Sequence, residues 1–160
     1  MKRAIALIAA LLALIGASRA EYVLCTPDGE VNVRKNPRIK STAIAGLSFG
    51  MFVETDGKVK NGFAHVIDLP AEDTSGWVST GYLVKDEPMA CTLTGYAVGL
   101  GKILARKNIN GKVVKRIEPG SEVIIFAYSQ EWCVTEYGFI RTEFLEIPQQ
   151  EDRDRRGEVR

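Results

Sequence analysis

The sequence predicts an all-β protein made of two small β-barrels in tandem, and three observations carry that prediction. After Glu21, no stretch keeps a helical spacing of apolar residues. Apolar residues instead alternate in short bursts that are separated by turn residues, as in Val31 and Val33 on either side of Asn32. The same bursts then recur in the same order in the second half of the chain, which indicates two copies of one unit.

The first twenty residues are typical of a secretory signal peptide. Lys2 and Arg3 form a basic start, residues 4–17 are an unbroken apolar run, and Ala20 ends a small-residue cleavage pattern. The run is short for a membrane span, which needs roughly 20 residues, and an uncleaved membrane anchor stays the alternative. We therefore expect an exported protein, periplasmic, cell-wall associated or extracellular, whose mature chain begins at Glu21.

The composition is that of a folded domain, with 46% hydrophobic and 26% charged residues and a net charge of +1. Loss of the signal peptide would leave a slight acidic excess, which argues against nucleic acid as a partner. The segment 148–160 is dominated by acidic and basic residues, and Val159 is its one aliphatic side chain. Such a segment cannot bury enough apolar surface to order itself, so we expect a disordered tail.

Turn residues divide the rest of the chain into short strands. Asn61-Gly62 supplies two positive φ angles for a tight hairpin, and Asp56-Gly57 and Ser75-Gly76 are further turn signals. We expect the first barrel at residues 21–86 and the second at residues 87–147. Closure into barrels hides strand edges that would otherwise pair with other chains.

Four segments of the first copy occur together in one known family. In order they are VNVRKNP, LSFG followed by VE, NGFAHV and GWVSTGYLV, and they resemble the bacterial Src-homology-3-like (SH3b) domain. The second copy repeats them in diverged form: Ala105-Arg106-Lys107-Asn108 echoes Val33-Arg34-Lys35-Asn36, Trp132-Cys133-Val134-Thr135 echoes Phe63-Ala64-His65-Val66, and Gly138-Phe139-Ile140 echoes Gly76-Trp77-Val78. The resemblance implies an SH3-like barrel of five or six strands for each copy.

The resemblance also suggests candidate ligand-binding residues. Aromatic rings can hold the apolar face of a sugar or a peptide, and arginines can form bidentate bonds with carboxylates. The residues near the family's usual groove are Arg34, Trp77 and Tyr82 in the first copy and Arg106, Trp132 and Phe144 in the second. For each ring, core packing is the alternative role.

Patterns for catalysis, metals and cofactors are not found in the sequence. His65 is the single histidine, and no cysteine stands in the context of a nucleophile. The cysteines lack the paired spacing of a zinc site, and Glu72 with Asp73 offers too few oxygens for calcium. No glycine-rich loop opens a helix, as a nucleotide site would require. We therefore expect no enzyme activity, no cofactor and no metal.

The cysteines suit an exported protein that can keep disulfides. Cys25 and Cys91 each precede the first strand of their copy, so a Cys25–Cys91 disulfide would link the two copies. Cys133 aligns with Ala64 and is expected as a small core residue. Three free thiols are the alternative, because connectivity does not follow from sequence.

These features together predict a secreted, non-catalytic binding protein. The family resemblance implies a cell-wall or cell-surface ligand of the peptidoglycan peptide or glycan class. The alternative is an adaptor or inhibitor that docks on another exported protein. A wall binder should present aromatic rings beside Arg or Asn in a concave groove, whereas a docking protein should present a flatter apolar patch.

Overall fold

The computed structural model describes residues 19–69 and 75–147. The signal peptide predicted at residues 1–20 falls outside this range except for its last two residues. The tail predicted at residues 148–160 lies wholly outside the described residues, and so do Glu72 and Asp73. No helix in the described part of the chain has the length and hydropathy to cross a membrane.

The first unit, residues 19–84, is a single antiparallel sheet of seven strands in the order β3-β2-β6-β5-β4-β1-β7. A 3-10 turn at Thr80–Tyr82 precedes the last strand. The strands are β1 (Arg19–Val23), β2 (Glu30–Arg34), β3 (Ala43–Ser48), β4 (Phe52–Lys60), β5 (Phe63–Ile67), β6 (Gly76–Ser79) and β7 (Leu83–Val84).

The second unit, residues 89–146, repeats this arrangement, with the order β10-β9-β13-β12-β11-β8-β14. A 3-10 turn at Thr142–Phe144 again precedes the last strand. The strands are β8 (Met89–Ala97), β9 (Ile103–Arg106), β10 (Val113–Ile117), β11 (Glu122–Tyr128), β12 (Trp132–Thr135), β13 (Gly138–Arg141) and β14 (Leu145–Glu146). The described chain is thus all-β, as predicted.

Alternating side chains explain why these segments form half-buried strands. In β2, Val31 and Val33 are buried while Glu30 and Asn32 face outward. Each unit has its own core, centred on Val33, Leu47 and Val78 in the first and on Ile125, Cys133 and Ile140 in the second. The core position of Cys133 agrees with the role expected from its alignment with Ala64.

The turn chemistry is confirmed at one site and corrected at another. Asn61 and Gly62 have φ angles of 53° and 76°, and Lys60 pairs directly with Phe63 across this two-residue hairpin. The prediction that Asp56-Gly57 forms a turn between two strands was wrong. Asp56-Gly57 lies inside β4, where the register with β5 shifts between Thr55 and Val59, so the positive φ of Gly57 serves a bulge.

A third apolar cluster joins the two units. Leu24 and Val84 of the first unit pack with Trp132, Val134 and Phe139 of the second. All five side chains are at most 7% exposed, although they lie on the outer surfaces of their own units. The two units are therefore docked through a buried apolar contact, which places their loops side by side.

Candidate functional site

A groove of about 960 Å³ opens at the junction of the two units, and we call it the first groove. Strand β2, the Asn61-Gly62 hairpin and the 3-10 turn at Thr80–Tyr82 supply the walls from the first unit. The β9–β10 loop supplies the remaining wall from the second unit, through Lys107, Asn108, Asn110 and Gly111. The site is therefore composite, and neither unit forms it alone.

The β9–β10 loop is held in place by specific contacts with the 3-10 turn. The Ile109 amide donates to the Gly81 carbonyl at 3.0 Å, and Asn110 Nδ2 donates to Thr80 Oγ1 at 3.1 Å. A Cβ at Gly81 would lie 2.6 Å from the Asn108 side chain. Because any larger residue would collide there, glycine allows the loop to approach the backbone of the first unit.

A second groove of about 550 Å³ occupies the equivalent place in the second unit. Backbone bonds establish the equivalence, since Leu24 donates to the Tyr82 carbonyl at 2.8 Å and Val98 donates to the Phe144 carbonyl at 2.9 Å. Strand register does the same, since Phe63 faces Ser79 in the first unit and Trp132 faces Arg141 in the second. The pairs that line both grooves are Glu30 and Lys102, Asn32 and Leu104, Arg34 and Arg106, Phe63 and Trp132, Ser79 and Arg141, Gly81 and Glu143, and Tyr82 and Phe144.

Five of the six predicted binding residues line these grooves. Arg34 and Tyr82 lie in the first groove, and Arg106, Trp132 and Phe144 lie in the second. The structure thus divides the predicted set between two separate surfaces. Trp132 also belongs to the apolar cluster between the units and is only 6% exposed, so it combines core packing with a place at the groove.

The two arginines also have a structural role. Arg34 Nη1 donates to the Ser41 carbonyl at 2.7 Å, and Arg106 Nη1 donates to the Gly111 carbonyl at 3.1 Å. Each bond ties the arginine to the loop that follows its strand. A guanidinium has five N–H donors, so this bond leaves capacity for a carboxylate in the groove.

Trp77 lines neither groove. Its ring lies 4.9 Å from the ring of His65, at 51° between the planes, on the outer face of the first unit. The equivalent position in the second unit is Phe139, which is buried at the junction and contacts Tyr82 edge to face at 5.8 Å. The structure therefore gives no support to a ligand contact at Trp77 in either groove.

His65 is hydrogen-bonded to Asp56 at a position that is also outside both grooves. Its Nδ1 lies 2.9 Å from Asp56 Oδ2, and Lys58 Nζ donates to the same oxygen at 2.6 Å. Desolvation raises the pKa of Asp56, but hydrogen bonds from Lys58 and His65 outweigh it and hold the pKa at about 2. The carboxylate thus stays charged over almost the whole pH range in which the protein would work.

The sequence left two alternatives for the cysteines, a Cys25–Cys91 disulfide and three free thiols, and the structure has the second. Cys25, Cys91 and Cys133 are all free thiols. Cys25 is buried in the first unit and approaches the Gly29 carbonyl at 3.5 Å, whereas Cys91 points to the Ile125 carbonyl at 3.4 Å within the second unit. Each thiol is turned into its own unit. The prediction that both cysteines precede the first strands was wrong, because Cys25 follows β1 and Cys91 lies inside β8.

Burial also makes the thiols poor nucleophiles. Desolvation raises the pKa of Cys25 to about 11, with further contributions from Asp28 and Glu30. Desolvation is also the main cause of the raised pKa values of Cys91 and Cys133. Within residues 19–69 and 75–147, no three His, Cys, Asp or Glu side chains gather as metal ligands.

Sequence reasoning missed several residues that form the grooves. Phe63 could have been found, because the repeat aligns it with Trp132. Asn108, Asn110 and Phe139 carry no such signal, since their place in the first groove depends on how the two units dock.

Part of the chain matches a known protein family. No curated protein matches the chain. Two solved structures that it resembles are NlpC2 and NlpC1 from Trichomonas vaginalis, each 21% identical, with TM-scores of 0.34 and 0.30. The chain is covered to 82% and 81%, and it spans only about half of those proteins, 48% and 45%. The family model of the bacterial SH3 domain matches residues 29–84, which is most of the first unit.

Proposed function

We propose that this protein is an exported, non-catalytic binding protein that holds a peptide or glycan of the bacterial cell wall in the first groove. The bacterial SH3 domain at residues 29–84 supports a role connected with the cell wall. The second unit, whose strand order is the same, acts as a divergent copy of that domain and completes the binding surface.

The composite first groove is the observation that carries this proposal. It is concave and brings the Tyr82 ring together with Arg34 and with the amides of Asn61, Asn108 and Asn110. Amide groups match the hydrogen-bonding groups of peptides and sugars, and a ring matches their apolar faces. This is the arrangement expected of a wall-ligand groove rather than of a flat docking patch.

The chemistry of the cysteines supports a binding role without catalysis. A cysteine hydrolase needs a thiolate beside a histidine. The raised pKa values of the three thiols leave little thiolate at neutral pH. His65 instead pairs with Asp56 and contacts Trp77, at a site that none of the cysteines lines.

Retention on purified peptidoglycan sacculi tests the proposal. We would compare the protein with an Asn32→Ala, Lys107→Ala double variant, because both exposed side chains line the first groove from opposite units. Lys112→Ala is the matched control, since Lys112 lies exposed in the same loop as Lys107 but outside the groove lining. We expect salt-resistant retention of the protein and the control, and loss of retention of the double variant.

Two results would contradict the proposal. Absence of retention at moderate salt would show that the protein does not bind a cell-wall ligand, and an exported protein partner would then be the candidate. Equal retention of all three proteins would place wall binding elsewhere on the surface. Far-UV circular dichroism of each variant checks that the fold is unchanged.

A further inference from the structure

The second groove differs from the first in charge, although its position in the unit is the same. Glu30 of the first unit is replaced by Lys102, and Ser79 is replaced by Arg141. Arg106 keeps the place of Arg34, and Glu143 is the one acidic side chain among the lining residues. The second groove therefore has three cationic groups against one anionic group.

The second groove also has large apolar side chains at its rim. Leu100 is fully exposed, Phe144 is 40% exposed and Leu104 is 38% exposed, and all three line the groove. Leu104 takes the place of the polar Asn32, and Phe144 takes the place of Tyr82. Large apolar side chains that converge on one exposed surface mark a site for a partner.

Lys102 and Arg141 differ in the interactions that they already form within the protein. Lys102 Nζ lies 2.8 Å from Glu118 Oε1, but both side chains are mostly exposed, so water screens this pair. Arg141 lies over the Trp132 ring at 4.9 Å. Among the described residues, no carboxylate forms a salt bridge with Arg141, so its guanidinium retains donors for an anion in the groove.

We infer that the second groove binds a peptide segment that alternates carboxylate and large apolar side chains, with Arg141 and Lys102 facing the carboxylates and Leu100, Leu104 and Phe144 facing the apolar groups. The inference rests on the proposed function only in treating the two equivalent grooves as binding surfaces. It assigns them different ligands, a polar wall ligand to the first and an acidic, apolar peptide to the second.

Fluorescence provides a local readout, because Trp132 lines the second groove and Trp77 is the other of the two tryptophans. In a Trp77→Phe background, Trp132 is the single reporter. The probes are the acetylated, amidated peptide Leu-Glu-Leu-Glu and its isostere Leu-Gln-Leu-Gln. We expect the acidic peptide to bind at least about tenfold more tightly, as one charge-assisted hydrogen bond would give.

The variants replace residues of the second groove by those at the equivalent positions of the first unit. Arg141→Ser and Lys102→Glu give the second groove the residues found at Ser79 and Glu30. Each should weaken binding of the acidic peptide by about tenfold and leave binding of the isostere nearly unchanged. Equal affinity for the two peptides, or an Arg141→Ser and a Lys102→Glu variant that both bind the acidic peptide as before, would overturn the inference.

Retention on sacculi separates this inference from the proposed function. Both charge variants should still be retained, because they leave the first groove intact. A protein that is retained but does not distinguish the peptides would refute the inference alone. A protein that distinguishes the peptides but is not retained would refute the wall ligand alone.

Discussion

Replacement of Phe139 by alanine tests whether the two units fold as one body. Phe139 is 5% exposed, and it packs against Leu24 and Val84 of the first unit and contacts Tyr82 at 5.8 Å. It lies on the outer surface of the second unit, so its burial depends on docking. If the units were independent, this ring would be as accessible as the equivalent Trp77.

The expected cost follows from the buried area. A phenylalanine side chain buries about 150 Å² or more, and about 25 cal/mol per Å² gives roughly 4 kcal/mol. Measured Phe→Ala substitutions in cores cost about 3–5 kcal/mol, which agrees with this value. Trp77→Ala is the matched control, because Trp77 occupies the equivalent position, is only half-buried and contacts the ring of His65. We expect Trp77→Ala to cost about 1.5 kcal/mol or less.

Urea denaturation measures both costs. Trp77 reports on the first unit and Trp132 on the second. Each unit of the wild-type protein and of Phe139→Ala can therefore be followed in a background where the other tryptophan is replaced by phenylalanine. We expect one shared transition in the wild type and two separate transitions in Phe139→Ala. Circular dichroism follows the Trp77→Ala control. A Phe139→Ala protein that loses no more stability than Trp77→Ala would refute the docking of the units.

Three further predictions follow from local features. Because the pKa of Asp56 is held at about 2, its bonds with Lys58 and His65 should stabilise the fold above the unfolded carboxyl pKa near 4. This stabilisation should be lost as the pH falls to about 2, so Asp56→Asn should reduce the pH dependence of the urea midpoint in that window. Because the pKa of Cys25 is about 11, Ellman's reagent should react slowly with the native protein and with three thiols once it is unfolded. Gly62→Ala should cost about 1 kcal/mol of stability, because Gly62 has a positive φ. Gly138→Ala should cost more, because Gly138 also has a positive φ and a Cβ there would meet the backbone of β9.

Each of these predictions has an outcome that contradicts it. An unchanged pH dependence in Asp56→Asn would mean that the ion pair is not formed. A single reactive thiol in the unfolded protein would indicate a disulfide. Equal losses in Gly138→Ala and Gly62→Ala, measured by thermal unfolding, would contradict the close approach of β13 to β9.

The strands and their order in the chain were predictable, because the alternation of Val31 and Val33 and the Asn61-Gly62 hairpin are local signals. The bulge at Asp56-Gly57 was mistaken for a turn, since a glycine with positive φ serves both structures. The local sequence does not show whether the strand ends at such a glycine or continues beyond it.

The grooves were only partly predictable for a different reason. Arg34 and Arg106 could be placed because they follow directly from the repeat. Trp77 and Phe139 occupy equivalent positions, yet one remains half-buried on an outer face and the other is covered by the neighbouring unit. Whether a residue on the outer face of a unit meets solvent or protein depends on docking, for which one strand pattern carries no signal.

The contact between the β9–β10 loop and Gly81 also bears on self-association. The position equivalent to Gly81 is Glu143, and the position equivalent to Val84 is Glu146. A second molecule that docked its own loop on the second unit in the same manner would bury both carboxylates, at a cost of several kcal/mol each. These two acidic side chains therefore disfavour repetition of this docking mode from one molecule to the next.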